Sequence, residues 1–427
     1  MLKKVLLAVA FLCAASPALA AKELELWHAM RGPSADEMGR LVEQFNASQS
    51  EFRVVATYKG SYEETLAAAL AAHKAGKGPD LLQVYDAGTA DLMAGKDVVR
   101  PLWQVMSESG HAVDAKYLPA VAGYYSDEKG RLLALPLSTA TPVLYYNRDA
   151  FKRAQLDPDK APKTWYEIPK TLGALRESGV SCPMTTAWPS WVLFENMTAW
   201  HNEEFATHHN GMDGHGARLS FNGRLMVRWI SMLSSWMKAG YFEYSGRAAE
   251  GEARFVSGEC AVLTSSSASY GELRENAKFD LGVAQLPYYD DIGGAPHNTL
   301  TGGAALWVMG GKPKPDYHGI AKFLAFLAKP ERQAEWTQKT GFVPATMAAY
   351  ELSRQQGFYA KYPAYEVAVH QLILKQPNGD TRGIRLLHLR AIRTIIDEEL
   401  ELVWKNKKTP LEALNSMVAR GNALLAR

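Results

Sequence analysis

The sequence predicts an α/β protein organised as two lobes, each built around its own sheet. Three observations carry this expectation. The chain has 427 residues, more than one hydrophobic core commonly serves. Strand-like apolar runs alternate with amphipathic helical runs from the start, at the spacing of βαβ units. A second series of strand-like runs follows with no Pro/Ser-rich linker between, so short segments must join the lobes.

The elements follow in chain order. Leu24 to His28 alternates apolar and polar and reads as a first strand. Ser34 and Glu37 have capping-box spacing ahead of Met38, Leu41, Val42 and Phe45 on one helical face. Phe52 to Thr57 is a second strand, and Ser61 with Glu64 caps an Ala/Leu-rich helix ending near Gly76. Leu81 to Tyr85 is a third strand with the apolar character of a sheet covered on both faces. Leu135–Leu137 and Pro142–Tyr146 are strand-like and flank the polar run Ser138-Thr139-Ala140-Thr141, a natural joint between lobes. Asn222 is placed to cap a helix carrying Leu225, Trp229, Met232, Leu233 and Trp236, closed by Gly240. Cys260–Leu263, Leu281–Ala284 and Ala304–Met309 read as further strands, with a second joint near His297–Gly303. The tail is helical. Its last helix opens with Thr409 as N-cap, Pro410 in the first turn and Glu412 as the reciprocating acid.

The first twenty residues stand apart. Lys3 and Lys4, an apolar run from Val5 to Ala15 and Ala18-Leu19-Ala20 form the three parts of a secretory signal cleaved after Ala20. Leu12 ahead of Cys13 argues against a lipoprotein signal. Without the two signal lysines, the 47 basic residues fall to 45 against 45 acidic ones. A balanced chain lacks the main attraction for nucleic acid or anionic membrane. The cysteines left are Cys182 and Cys260. A secreted chain can pair them, and two buried thiols are an equal alternative at this point. A structural zinc site finds no C-x-x-C to use.

Catalytic signatures are missing: the chain has no G-x-S-x-G, H-E-x-x-H, Walker A or G-x-G-x-x-G pattern. Ser265-Ser266-Ser267 reads first as a strand-to-helix turn with a serine cap. His208, His209, Asp213 and His215 could supply metal ligands, but neighbouring histidines point apart and an exposed loop is the stronger reading. Asp290-Asp291 and Asp397-Glu398-Glu399 read as solvated charge. Three features suit binding better. Trp188-Pro189-Ser190-Trp191 sets two indoles in one polar loop. Thr301-Gly302-Gly303 opens a strand where missing Cβ atoms admit a ligand to backbone N–H groups. Arg385, Arg390 and Arg393 stand among leucines and isoleucines, where a guanidinium pairs structurally or holds phosphate or carboxylate.

With their surroundings, these residues resemble a known family. The blocks TYKGSYEETL, LLQVYDAGTA, AGYYSD, TPVLYYNRDAF, CAVLTSSSAS, TGGAALWVM, AEWTQKTGF, QQGFY, IDEELELVW and KKTPLEAL are together similar to the periplasmic solute-binding proteins of ABC importers, in the branch that takes up glycerol phosphate. The resemblance implies a two-lobed type II fold that closes around a ligand between its lobes. One lobe would comprise 21–138 and 300–341, the other 139–299 and 342–427. It implies a monomeric periplasmic receptor that hands its ligand to membrane permease subunits, with no catalysis, cofactor, metal or nucleic acid.

Position by position, the resemblance places a ligand-touching tyrosine at Tyr62 and the acceptor for glycerol hydroxyls at Asp86. It places the cleft tryptophans at Trp188 and Trp191, a phosphate-binding serine at Ser266, a backbone donor at Gly303 and the phosphate arginine at Arg393. Two positions depart. Ala140 stands where the family has a serine and Phe342 where it has a tyrosine, each deleting a hydroxyl donor to phosphate. A hydrogen bond to a charged group is worth roughly 1.5–3 kcal/mol, so two uncompensated losses weaken phosphate binding by on the order of a thousandfold. Ser138 and Thr139 are the nearby hydroxyls that could compensate. The expected ligand is sn-glycerol-3-phosphate, followed by glycerophosphodiesters such as glycerophosphocholine, which need fewer donors. A sugar receptor of the same fold and an extracytoplasmic phosphodiester or glycoside hydrolase are the remaining readings.

Overall fold

In KELELWH, alternation buries Leu24, Leu26 and His28 and turns Glu23 and Glu25 outward. In the computed structural model, which describes residues 21–112, 116–214 and 216–426, this strand lies inside a mixed sheet. The signal segment lies outside the described residues.

The strands are β1 (Lys22–His28), β2 (Phe52–Tyr58), β3 (Leu81–Tyr85), β4 (Val99–Arg100), β5 (Leu135–Ala140), β6 (Pro142–Asn147), β7 (Cys182–Thr186), β8 (Phe242–Glu243), β9 (Cys260–Ser266), β10 (Leu281–Ala284) and β11 (Gly302–Met309). They form two sheets. The first runs β2-β1-β3-β11-β4, with β5 also paired to β11; the second runs β10-β6-β9-β7-β8. In the first, β1 is parallel to β2 and β3, while β11 runs antiparallel to its neighbours. In the second, β7 is parallel to β8 and β9, and β6 is antiparallel to β9 and β10.

Helices cover both sheets because each buries an apolar stripe. Met38, Leu41 and Phe45 of the helix Gly32–Ser48 and Phe323 and Leu324 of Lys314–Leu327 pack against Leu24, Leu26, Val54 and Leu81. In the second lobe, Leu225, Trp229 and Leu233 of Arg224–Lys238 join Leu144, Met184 and Val262. Each such buried side chain contributes roughly 1.5–3 kcal/mol.

Two boxes hold as expected, at Ser61/Glu64 and Thr409/Glu412. Two do not. The first helix starts at Gly32, so Ser34 lies inside it and bonds back to the Arg31 carbonyl, while Glu37 pairs with Arg40. Gly223, not Asn222, precedes the long helix, and Asn222 bonds Asn415 instead. Ser34 turns to a carbonyl three residues back, and Asn222 to a residue far along the chain.

The polar run is not a turn. β5 continues through Ser138, Thr139 and Ala140, all buried, and Thr141 alone separates it from β6 in the other sheet. β11 supplies the ladder that extends the strand, pairing Gly302 with Ala140 and Gly303 with Thr139. Likewise β9 runs on through Ser265 and Ser266, so the serine cluster begins in a strand.

Four chain segments meet at this crossing. Thr141 Oγ1 lies 2.6 Å from Thr299 Oγ1 and donates at 3.1 Å to the Leu300 carbonyl. The Val343 N–H donates to the Thr139 carbonyl at 2.8 Å. Thr141 and Ser267 exchange bonds, at 3.1 Å to Ser267 Oγ and 2.8 Å from the Ser267 N–H. Gly303 is required here: its φ is +94° and a Cβ would fall 1.8 Å from the Ser138 carbonyl oxygen.

The structure also decides the cysteines. Cys182 and Cys260 are register partners on the parallel strands β7 and β9, with Cα atoms 4.4 Å apart, and they form a disulfide. Sequence spacing could not show that the two strands are neighbours.

Candidate functional site

Asp86 follows the carboxyl end of β3, Trp188 follows that of β7, and Ser266 closes β9. Ligands in α/β folds gather at such strand ends. Arg393 comes from the helix Leu389–Trp404, which packs on Pro410–Leu425 in the second lobe.

Arg393 is the centre of the site. Its Nη2 donates to Asp86 Oδ2 at 2.5 Å, joining the two lobes. Its Nε and Nη2 also donate to Glu195 Oε1 and Oε2 at 2.6 and 2.8 Å. Burial alone would lower the guanidinium pKa; Asp86 and Glu195 together hold it well above its ordinary value. Burial pushes the Glu195 carboxyl up, against the pull of Arg393. Glu195 is 2% exposed.

Glu195 was not among the residues expected here. Its one signal is being the sole acid in Trp188 to Trp200. The backbone explains its aim: Ser190–Glu195 is a π-helix, a wide turn that re-phases side chains relative to the α-helix Asn196–Trp200 that follows.

Tyr62 opens the helix Tyr62–Lys74 and stacks on Tyr85 with centroids 5.1 Å apart at 12°. Burial first, then the neighbouring Asp86, pushes its phenol up to about 12. Tyr124 donates to the Asp86 backbone carbonyl at 2.8 Å, fixing the turn that carries the carboxylate.

The two tryptophans part company. Trp188 is 41% exposed and sits at φ +52°, a left-handed conformation uncommon for a bulky residue. Its N–H is held by the Ala248 carbonyl at 2.9 Å. Trp191 is buried, and its ring lies so close to Gly302 that a Cβ there would sit 2.5 Å from Cζ2. Gly302 is also the register partner of Ala140, so Trp191, Gly302 and Ala140 form one packed spot at the crossing.

The other expected residues are placed as follows. The Ser266 hydroxyl accepts from the Ala268 N–H at 3.2 Å, the cap that the sequence favoured. Phe342 is half-buried and stacks on Trp336 at 6.1 Å and 3°. Ser138 Oγ is buried with no partner among the described residues, whereas Thr139 is held through its carbonyl. Arg385 donates to the carbonyls of Tyr124 and Ser126, and Arg390 is exposed, 3.7 Å from Glu63.

The carboxylate run 397–399 does not read as solvated charge. Asp397 and Glu399 are buried, Glu399 between Lys408 and Arg420. Asp397 lies one turn beyond Arg393, and burial raises its carboxyl to about 7. Asp291 stays at the surface, paired with Arg228 at 2.7 Å. His209 lies 3.5 Å from both Asp213 and Asp380; among the described residues no group of three side chains could hold a metal. His215 is outside the described residues. A cavity of about 490 Å³ between Met93 and Leu387 is lined by Arg385 but by none of the positions that the resemblance assigns to the ligand.

Two sheets are joined at one crossing, and Asp86 beside the first meets Arg393 and Glu195 from the helices of the second. Residues 40–367 match the bacterial extracellular solute-binding proteins. The chain belongs to that family. Among relatives of this solute-binding protein, the sn-glycerol-3-phosphate-binding periplasmic protein of Yersinia enterocolitica is 48% identical over 96% of this chain and 94% of its own. The protein of the same name from Pectobacterium atrosepticum is 47% identical over 98% and 95%. Solved structures give the same fold at low identity. UgpB of Mycobacterium tuberculosis, crystallised with glycerophosphocholine, superposes with a TM-score of 0.79 at 21% identity over 95% of this chain and 98% of its own. The cyclic α-maltosyl-1,6-maltose-binding protein of Arthrobacter globiformis gives 0.78 at 20% over 95% and 99%. The protein is therefore a solute-binding component of an ABC importer, and its relatives are named as periplasmic binding proteins.

Proposed function

We propose that the solute is a glycerol phosphate compound, sn-glycerol-3-phosphate first and a glycerophosphodiester second. One observation carries this reading. Asp86 and Arg393, one acceptor and one phosphate-type donor, come from different lobes and meet at 2.5 Å where a ligand bridging the lobes would engage both. In the bound state Arg393 holds phosphate with Ser266 and the Gly303 N–H. Asp86 accepts from glycerol hydroxyls, and Tyr62, Trp188 and Trp191 cover the carbon chain. Thr139, Ala140 and Phe342 line the crossing beside them. The 47–48% identity to proteins named for glycerol-3-phosphate binding supports the first ligand. Ala140 and Phe342, neither of which carries a hydroxyl, favour the second.

The lobes divide as 21–138 with 300–341 and 139–299 with 342–427. They close about Thr141, expel water and so strengthen every polar contact inside. The mature receptor starts at Ala21, works as a monomer in the periplasm and binds no nucleic acid; its macromolecular partners are the inner-membrane permease subunits.

Calorimetry on refolded, ligand-free protein tests the reading, with both ligands in separate titrations. Arg393→Ala is expected to weaken binding at least about a hundredfold, because a buried phosphate loses its charge partner. Unchanged affinity in that variant would remove the site from this position.

A further inference from the structure

We infer that the cavity beside Arg385 is a second ligand site, which takes a small amphipathic carboxylate and favours closure of the lobes when filled. Its volume of about 490 Å³ lies within the roughly 300–1,000 Å³ common for small-molecule sites. Met93 and Leu133 wall it from the chain before the crossing at Thr141, and Met212, Leu386 and Leu387 from the chain after it. That lining suits an alkyl chain, each buried methylene of which strengthens binding about fourfold.

One charge in the wall is unmet. Arg385 spends Nη2 on the carbonyls of Tyr124 and Ser126, at the end of the helix Pro119–Tyr125. Its Nε is buried without a partner among the described residues, and Nη1 is the donor left for a ligand. Burial, more than any neighbour, lowers this guanidinium below its ordinary pKa. The other charges nearby are paired or lie at the rim. Asp127 accepts from Arg131 Nε at 2.8 Å and from the N–H groups of Lys129 and Arg131. Glu128 and Lys129 are exposed and opposite in sign. Arg382, the cation beside Arg385, pairs with Asp213 at 2.9 Å. A carboxylate in the cavity gives Nη1 an acceptor and the guanidinium a counter-charge.

The walls belong to the segments that carry the solute site. Met93 lies in the helix Thr89–Ala94, which follows the turn of Asp86. Leu386 and Leu387 lead into the helix that carries Arg393. Between them the His388 N–H donates to Asp91 Oδ1 at 2.9 Å. An occupant touching both walls stabilises the arrangement in which Asp86 meets Arg393. By linkage, occupant and solute then raise each other's affinity. The coupling uses the lobe division proposed above; the cavity and its charge do not depend on which solute the Arg393 cleft takes.

The experiment titrates the receptor with octanoate and with neutral octan-1-ol, with and without sn-glycerol-3-phosphate, and follows the methionine methyls by NMR. The Met93 and Met212 signals should shift and saturate with octanoate, while Met38, in the core of the first sheet, stays in place. Arg385→Gln is expected to weaken octanoate by about ten- to hundredfold, the worth of a hydrogen bond to a charged group, and to leave octanol unchanged. Should that variant not fold, Met93→Glu and Met93→Gln take its place, with Met212 as reporter. The glutamate should weaken octanoate about tenfold more than the glutamine, with octanol alike in both. Saturating sn-glycerol-3-phosphate should tighten octanoate at least about threefold. Shifts that never saturate, or binding indifferent to Arg385 and to a charge at Met93, would overturn the site. Displacement of octanoate by sn-glycerol-3-phosphate would place it in the solute cleft and overturn the site as well. An octanoate affinity unchanged by the solute would overturn the link to closure. If sn-glycerol-3-phosphate does not bind, the glycerol-phosphate reading fails, while the octanoate titration alone still decides the second site.

Discussion

Replacing Arg393 with methionine keeps an apolar stem of similar length and removes the cation from a buried carboxylate. Glu195 is 2% exposed, and both its oxygens accept from that guanidinium. Breaking a buried pair by removing one partner costs about 3–5 kcal/mol. For a chain of this length the unfolding entropy near the midpoint is about 0.85 kcal/mol/K, so the melting temperature should fall by about 5 °C. The loss must depend on pH. Burial already raises the Glu195 pKa, and without Arg393 it rises further. A carboxyl whose folded pKa exceeds its unfolded one costs stability above the folded pKa, and that cost fades as pH falls through it. Melting of Arg393→Met followed by calorimetry should show a deficit near pH 8 that shrinks toward about pH 5. The double variant Arg393→Met/Glu195→Gln removes the stranded charge and should regain much of the loss. If the single variant were no less stable than the double at pH 8, Glu195 would not be ionised against Arg393 as the geometry requires.

Three further outcomes are expected. Gly303→Ala forces a Cβ to within 1.8 Å of the Ser138 carbonyl oxygen at φ +94° and should cost at least about 3 kcal/mol, read as a lower denaturation midpoint. Reducing the Cys182–Cys260 bridge frees a loop whose ends are 78 residues apart; loop entropy gives about 4.5 kcal/mol, so the melting temperature should drop about 5 °C, and an unchanged value would show the loop is held by other means. Asp397→Asn should flatten a decline in stability as pH rises from about 4 to 7. The wild-type carboxyl has its folded pKa raised to about 7 by burial, so its ionised form costs up to about 4 kcal/mol at higher pH.

Much of this protein was legible in the sequence because its signals are local. Leu81–Tyr85 and Leu281–Ala284 fall where composition placed them, and the boxes at Ser61 and Thr409 form between residues three apart. The spacing of strands and helices set the α/β class, and the length required more than one core. What the sequence could not determine depends on partners far along the chain. Ser138 to Ala140 became strand because β11, some 160 residues later, supplied a ladder. Cys182 found Cys260 because β7 and β9 lie side by side. Glu195 drew no reading from the sequence, and only the fold sets it against Arg393, and Arg393 against Asp86. A charge's meaning lies in what it faces across a low-dielectric gap, and that distance exists only once both lobes are folded.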